Sequence, residues 1–391
     1  MPHPWALNVR DEVIGGLVSA AVAIPLAMGY GMFAFVSLGD KYFAHGAMAG
    51  LSTAFIVAIV SVFLGDRTPT VYAPRIISTF FLGAFLYGLV HSATTVLNTA
   101  GIASILLAFF STILLGGIFG AFFGLFKVGT VIRFAPHPVF AGFQNAAAVL
   151  LFLVQLANVS GLDEAKPFTF VLSHPDAIKP LSVFVAALTF AAMWNARRLS
   201  TKIPPLVLGL AIGTAVYYAL RAFGLGDHLG PIIGNVSDDT LSAMPWKNFG
   251  DLAHATSLLA LWPTVVGGGL ALAIIASIDA LLCARLVSQP GDVRVDADRL
   301  LVRLGLGNLT AALFGGITSG LNIGPSLTNR AFGGRTALSV LVNAAAILLA
   351  FTVLFPVLAH LPRVVLSAVI MPGLESLTAP VRLRSRLPWW R

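Results

Sequence analysis

Long runs of this chain carry no charged residue, such as Val13–Val36, Ala47–Leu64, Ala103–Leu125, Ala146–Val159, Leu206–Leu220 and Leu338–Leu358. A bilayer core of about 30 Å is crossed by roughly 20 helical residues, so runs of this kind imply membrane spans. Lipid offers no partner to backbone N–H and C=O groups, which leaves helices as the spanning elements. The chain is 57% hydrophobic and 10% charged, against roughly a quarter charged in soluble domains. Its 38 glycines and 22 prolines suit interrupted, closely packed membrane helices. The first run is too long for a secretory leader and holds Pro25 and two glycines, Gly29 and Gly31, in mid-segment. A single cysteine, Cys283, excludes a disulfide framework and a cysteine metal cluster. The expected class is an all-α polytopic membrane protein.

Hydrophobic patterning predicts helices over 12–36, 46–64, 70–91, 101–126, 131–159, 180–196, 204–223, 257–288, 301–316, 323–335, 337–360 and 363–378. The net charge of +8 is explained by where the cations fall. With the N-terminus cytoplasmic, seventeen Lys and Arg residues lie at inside loops and ends, from Arg10 to Arg391. Six lie outside: Lys41, Lys166, Lys179, Arg221, Lys247 and Arg363. This bias follows the positive-inside rule and removes the need for a nucleic-acid partner. It places both termini in the cytoplasm. The basic tail from Arg382 to Arg391 is a cytoplasmic anchor on the lipid bilayer. No GxxxxGK[ST], HExxH or His/Cys cluster occurs, so neither an enzyme, a cofactor nor a metal is expected.

A polar connection at 224–256, expected outside the cell, separates a first repeat at 1–223 from a second at 257–391. The third predicted segment of each half is broken. The first break is Tyr72-Ala73-Pro74-Arg75; the second runs from Gly315 to Ser326 and includes the Gly324-Pro325 step. Broken segments in corresponding places of two halves point to a midplane binding site. Pro74 predicts the first turn of a helix, since its fixed φ and missing N–H suit that position. Arg75 then places a guanidinium beside free N–H groups and the positive end of a helix dipole, a combination that favours an anion. A cation at this depth needs a partner or a ligand.

Four stretches in order carry a resemblance. Asp11-Glu12-Val13-Ile14-Gly15-Gly16-Leu17 with Ile24-Pro25-Leu26-Ala27-Met28-Gly29-Tyr30, Pro136-His137-Pro138-Val139-Phe140-Ala141-Gly142-Phe143, Ala276-Ser277-Ile278-Asp279-Ala280-Leu281-Leu282, and Gly305 through Ser339 are similar to motifs of the SulP family of anion transporters. The resemblance runs from residue 11 to about 375 and implies an inverted-repeat (7+7-type) transporter fold. The core would comprise 1–126 and 257–360, and the gate 131–223 with a partial gate at 363–378. The chain departs from the family plan by stopping at Arg391, so the second repeat is expected to be C-terminally truncated, without segments 13 and 14 or the STAS domain. Leu26 stands where a polar residue is common, and Pro325 where some relatives carry arginine.

The resemblance implies substrate between the N-termini of half-helices 3 and 10. The expected substrate-binding set is Tyr30, Tyr72, Pro74, Arg75, Ile76, Asn322, Ile323, Gly324 and Ser326. Asn322 and Ser326 would either contact the ligand or cap the helix. Asp279 and Cys283 share a helix face; in sodium-coupled relatives the aligned acid belongs to a cation site. Here Asp279 would couple Na+ or H+, or serve as counter-charge to Arg75. The implied function is secondary active transport of an inorganic or small carboxylate anion (sulfate, bicarbonate or dicarboxylate class) across the bacterial plasma membrane, by elevator-like alternating access. A homodimer is left open. The alternatives are a nucleobase or ascorbate permease of the same fold and a non-transporting or incomplete membrane subunit.

Overall fold

The structure, a computed structural model, describes residues 8–91, 95–128, 137–162, 168–199, 203–235, 261–288 and 295–378. The basic tail and most of the 224–256 connection therefore lie outside the described residues. The principal helices are α1 (Val9–Ala34), α2 (Phe43–Phe63), α3 (Ile76–His91), α4 (Thr95–Leu125), α5 (His137–Val159), α6 (Pro180–Trp194) and α7 (Pro205–Leu220). They continue as α8 (Trp262–Val287), α9 (Ala297–Leu313), α10 (Ile323–Ala331), α11 (Ala337–Thr352) and α12 (Arg363–Thr378). Two short strands, β1 (Tyr72–Pro74) and β2 (Ser319–Leu321), precede α3 and α10. Among the described residues, five stretches are long and apolar enough to cross a membrane, the longest being Val9–Ala34 and Trp262–Val287.

The helix order matches the hydrophobic reading, but some details do not. Residues 70–75 are not the start of a helix. Pro74 stands in β1, opposite Ser319, and α3 begins at Ile76. A residue before proline is driven to extended geometry, and here that preference at Ala73 favours a strand end over a helix opening. The predicted helix 337–360 stops at Thr352, with a separate turn at Phe355–Leu358. A short helix at Phe168–Ser173 was not anticipated.

The chain divides into two compact units. The first holds residues up to Leu38, His45–Ala135 and Val236–Val353; the second holds Gly39–Ala44, Pro136–Asn235 and the chain from Leu354. In the first unit, α1 and α2 approach so closely that side chains at Gly31, Gly46 or Gly50 would run into the facing backbone. Helices α4 and α9 do the same: a Cβ on Gly117 would lie 2.6 Å from Leu309 N. The apolar core of this unit gathers Val57, Tyr72, Leu281, Leu301, Leu304 and Leu321 around the strand pair. Removing such residues from solvent or lipid contact fixes the positions of β1 and β2.

Polar clamps replace loops of regular structure. The buried carboxylate of Glu12, on α1, accepts the N–H groups of Arg335 (3.0 Å), Thr336 (3.3 Å) and Ser339 (3.1 Å) at the start of α11. It thus caps a distant helix where the dipole favours negative charge. Asn343 on α11 donates to Ser19 on α1 at 2.9 Å, a second polar tie within the apolar pack.

The second unit packs α12 against α5 and α6, with Val185, Tyr217, Val364 and Val365 in its core. Arg363 at the head of α12 donates to Ile232 O (3.0 Å) and pairs with Asp40 (2.7 Å), while its guanidinium lies 4.4 Å from the Phe43 ring centroid. Tyr217 Oη closes the unit by donating to Gly230 O at 2.7 Å.

Candidate functional site

The two strands pair antiparallel, with Tyr72 opposite Leu321, Ala73 opposite Gly320 and Pro74 opposite Ser319. The Asn322 N–H donates to Val71 O at 2.9 Å and extends the ladder by one residue. Each strand feeds directly into a helix, so the starts of α3 and α10 are fixed relative to one another by backbone hydrogen bonds rather than by side chains alone.

Arg75 is the residue just before α3. Its carbonyl receives the Thr79 N–H (2.9 Å) and the Ser78 hydroxyl (3.1 Å). Its guanidinium forks onto Asp279 of α8, Nε to Oδ2 at 2.8 Å and Nη2 to Oδ1 at 3.0 Å. The two side chains are 7% and 4% exposed. Desolvated charges of this kind survive only when paired with good geometry, which the planar fork supplies. The pair engages two of the five N–H donors of a guanidinium.

Three residues frame this pair. Gly320 of β2 lies against the arginine stem, where an added Cβ would sit 3.0 Å from Arg75 Cγ and 3.9 Å from Asp279 Oδ2. Cys283, one turn along α8, places its Sγ 3.7 Å from Asp279 Oδ1. Tyr30 on α1 is buried within electrostatic range of both Arg75 and Asp279. Tyr30, Arg75, Asp279 and Cys283, each singled out in the sequence, are thus brought together.

The start of α10 is built differently. Asn322 holds the N-cap position without a side-chain capping bond. Its carbonyl takes the Ser326 N–H (3.1 Å) and hydroxyl (2.5 Å). Pro325 has no N–H, so Ile323 and Gly324 supply the first-turn donors that have no helical acceptor. Gly324 is exposed, and among the described residues nothing lies within 4 Å of where its Cβ would be. Ile76, by contrast, is buried at the start of α3.

Two members of the expected set face the scaffold. The Tyr72 hydroxyl donates to Asp66, which also accepts the Thr68 N–H (3.0 Å) and hydroxyl (2.8 Å). Arg303 of α9 reaches the same cluster through Leu64 O (3.2 Å), Gly65 O (3.0 Å) and Asp66 Oδ1 (3.5 Å). Ser326 Oγ receives the Val71 N–H at 2.9 Å. These bonds hold the outer end of β1.

Sequence reading missed the residues that hold β2. Thr53 of α2 accepts the Ile317 N–H at 2.7 Å, and Asn308 of α9 brackets Ser319 with bonds of 2.8 Å and 3.1 Å. Their only signal was a polar residue at an otherwise apolar stretch of helix. Asp66 was legible only as a loop acid after a hydrophobic run.

The profile of the Sulfate permease family matches residues 9–384. The chain is 26% identical over 371 residues to the bicarbonate transporter BicA of a Picosynechococcus species, covering 93% of this chain and 60% of that protein. It is 26% identical over 375 residues to the putative sulfate transporter YvdB of Bacillus subtilis, covering 93% of this chain and 63% of that one. The chain thus spans less than two thirds of the length of these relatives. The transmembrane domain of a cyanobacterial BicA superposes with a TM-score of 0.75 at 22% identity, over 98% of this chain and 94% of that domain. SLC26A9 gives a TM-score of 0.76 at 18% identity, over 97% of this chain and 59% of that one. The shared fold is the inverted-repeat transporter fold. A profile match across nearly the whole chain, on a bundle of apolar helices broken at two paired strands, makes this protein a membrane protein of the sulfate permease family.

Proposed function

We propose that this chain is the membrane domain of a secondary transporter for an inorganic or small carboxylate anion, of the sulfate, bicarbonate or dicarboxylate class. The observation that carries the reading is the buried Arg75 guanidinium, set by β1 at the start of α3 and facing Gly320 across the strand pair. A planar, permanently charged fork suits a carboxylate or an oxyanion. The Ile323 and Gly324 amides at the open start of α10 add donors and the positive end of a helix dipole. Tyr30 and Asn322 border the site; Tyr72, Pro74, Ile76 and Ser326 set its shape.

Asp279 gives the site its coupling. While ionised it neutralises Arg75 and competes with any arriving anion. A proton or sodium ion on Asp279 frees the guanidinium, so cation and anion load together. Cys283 offers sulfur where a hydroxyl would serve a hard cation better, a preference that weighs toward the proton. The first unit then carries the bound anion by moving as a rigid body relative to the second. The charge bias of the loops sets both termini in the cytoplasm of a bacterial inner membrane.

Uptake of labelled sulfate, bicarbonate and dicarboxylates into proteoliposomes tests the reading, with wild type and Arg75→Ala measured side by side. The expected result is uptake of one anion class by wild type and its loss in the variant. Equal uptake by both proteins sinks the site.

A further inference from the structure

Beside β2, residues of α4, α8 and α9 line a partly open cavity of about 20 Å³. Gly116 and Gly120 of α4 and Gly305 of α9 open the space, and Ser277, Asn308 and Thr318 supply its polar wall. The Thr318 hydroxyl is the unusual member. The residue is 2% exposed, and its Oγ1 has no hydrogen-bond partner among the described residues. The backbone on either side of it is held: Ile317 by Thr53 at 2.7 Å, and Ser319 by both ends of the Asn308 amide at 2.8 and 3.1 Å. A buried hydroxyl left unbonded costs roughly 1–3 kcal/mol. Such a cost in a fixed, preorganised loop asks for a ligand.

We infer that this cavity is a binding site for one ordered water, bonded to Thr318 Oγ1 and completed by Ser277. The space fits: a water needs roughly 10–15 Å³ by this measure, and the cavity offers room for one. The chemistry fits as well. The polar wall is neutral, so a cation would enter without a counter-charge. Asp279 lies two residues beyond Ser277 on α8, about 200° around the helix, and its carboxylate is turned to Arg75. The Asn308 amide gives one N–H and one lone pair to Ser319 and keeps a second N–H. The water is therefore an internal strut for β2, the strand whose Gly320 carries the arginine stem. This site stands on its own geometry and does not depend on the transport reading.

The test is a high-resolution structure of the full chain in lipid nanodiscs, in sodium and in choline media, for wild type, Thr318→Ser and Thr318→Val. Density roughly 2.5–3.0 Å from Thr318 Oγ1 is expected in wild type in both media, and again in Thr318→Ser, but not in Thr318→Val. An empty cavity, at a resolution where other buried waters are visible, overturns the inference. Density present only in sodium overturns it in favour of a cation. Thermal unfolding gives an independent readout. A dry cavity makes Thr318→Val neutral or stabilising, since an orphaned hydroxyl is removed; a bound water makes it lower the midpoint while Thr318→Ser largely preserves it.

Discussion

Arg75 and Asp279 lie 204 residues apart in the chain and meet through two hydrogen bonds of 2.8 and 3.0 Å. One comes from the strand end before α3, the other from the middle of α8. The pair joins the two sequence halves beside the paired strands. Removing one partner strands the other as a buried charge, which costs about 3–5 kcal/mol, whereas replacing both with apolar residues is often neutral. Asp279→Ala is therefore expected to lower the unfolding midpoint of the purified protein sharply. Arg75→Met combined with Asp279→Leu should restore the midpoint without restoring anion uptake. A double variant as unstable as Asp279→Ala, in the same thermal scan, counts against the pair as a self-contained unit.

Gly320 tests how tightly the arginine stem is held. An alanine there puts its Cβ 3.0 Å from Arg75 Cγ, so the side chain has to shift by a few tenths of an ångström. Gly320→Ala is expected to slow uptake by about tenfold, a change of about 1.4 kcal/mol, while the protein stays folded. Gly320→Val should abolish it. Initial-rate measurements in proteoliposomes decide; undiminished rates in Gly320→Val place the anion elsewhere.

Tyr72 separates scaffold from substrate contact. Its hydroxyl is bonded to Asp66 within the cluster that Arg303 closes. Tyr72→Phe should cost about 1–3 kcal/mol of stability by leaving a buried acceptor short of a donor. The apparent KM for the anion should be unchanged. A raised KM with an unchanged unfolding midpoint would instead assign the hydroxyl to the substrate.

Glu12 is expected to matter for stability alone. Its carboxylate takes three N–H groups at the start of α11, at 3.0, 3.3 and 3.1 Å. Glu12→Gln keeps the shape but loses the charge and turns one acceptor into a donor. A loss of about 1.5–3 kcal/mol follows, read from the unfolding midpoint. Anion selectivity, measured by competition among sulfate, bicarbonate and dicarboxylates, should not move.

Much of this architecture was legible in the order of residues. Apolar runs are a local property, and lipid leaves the backbone no alternative to a helix, so the order of twelve segments could be read. The two breaks were visible for the same reason: Pro74 and Pro325 interrupt the pattern wherever the chain goes. The form of the first break was not. Whether Pro74 opens a helix or closes a strand depends on a partner strand almost 250 residues away, Ser319–Leu321, and no local preference encodes that pairing. The partners of Thr53, Asn308 and Ser326 were illegible for a related reason. A lone hydroxyl or amide in an apolar run declares only that it needs a bond, not which backbone group will supply it.

By itself, then, the sequence determined the solvent of this protein, the order of its helices and the presence of a costly cation at the mouth of the third. It could not choose between a ligand and Asp279 as the neighbour of that cation. Tertiary packing made the choice of contact, because the free energy of a buried charge depends on what lies within a few ångströms of it, and the nearest groups here come from α8 and β2. Hydrophobicity is additive along a chain and can be read there. Charge compensation is a property of distances, and these exist only once the two halves have folded against each other.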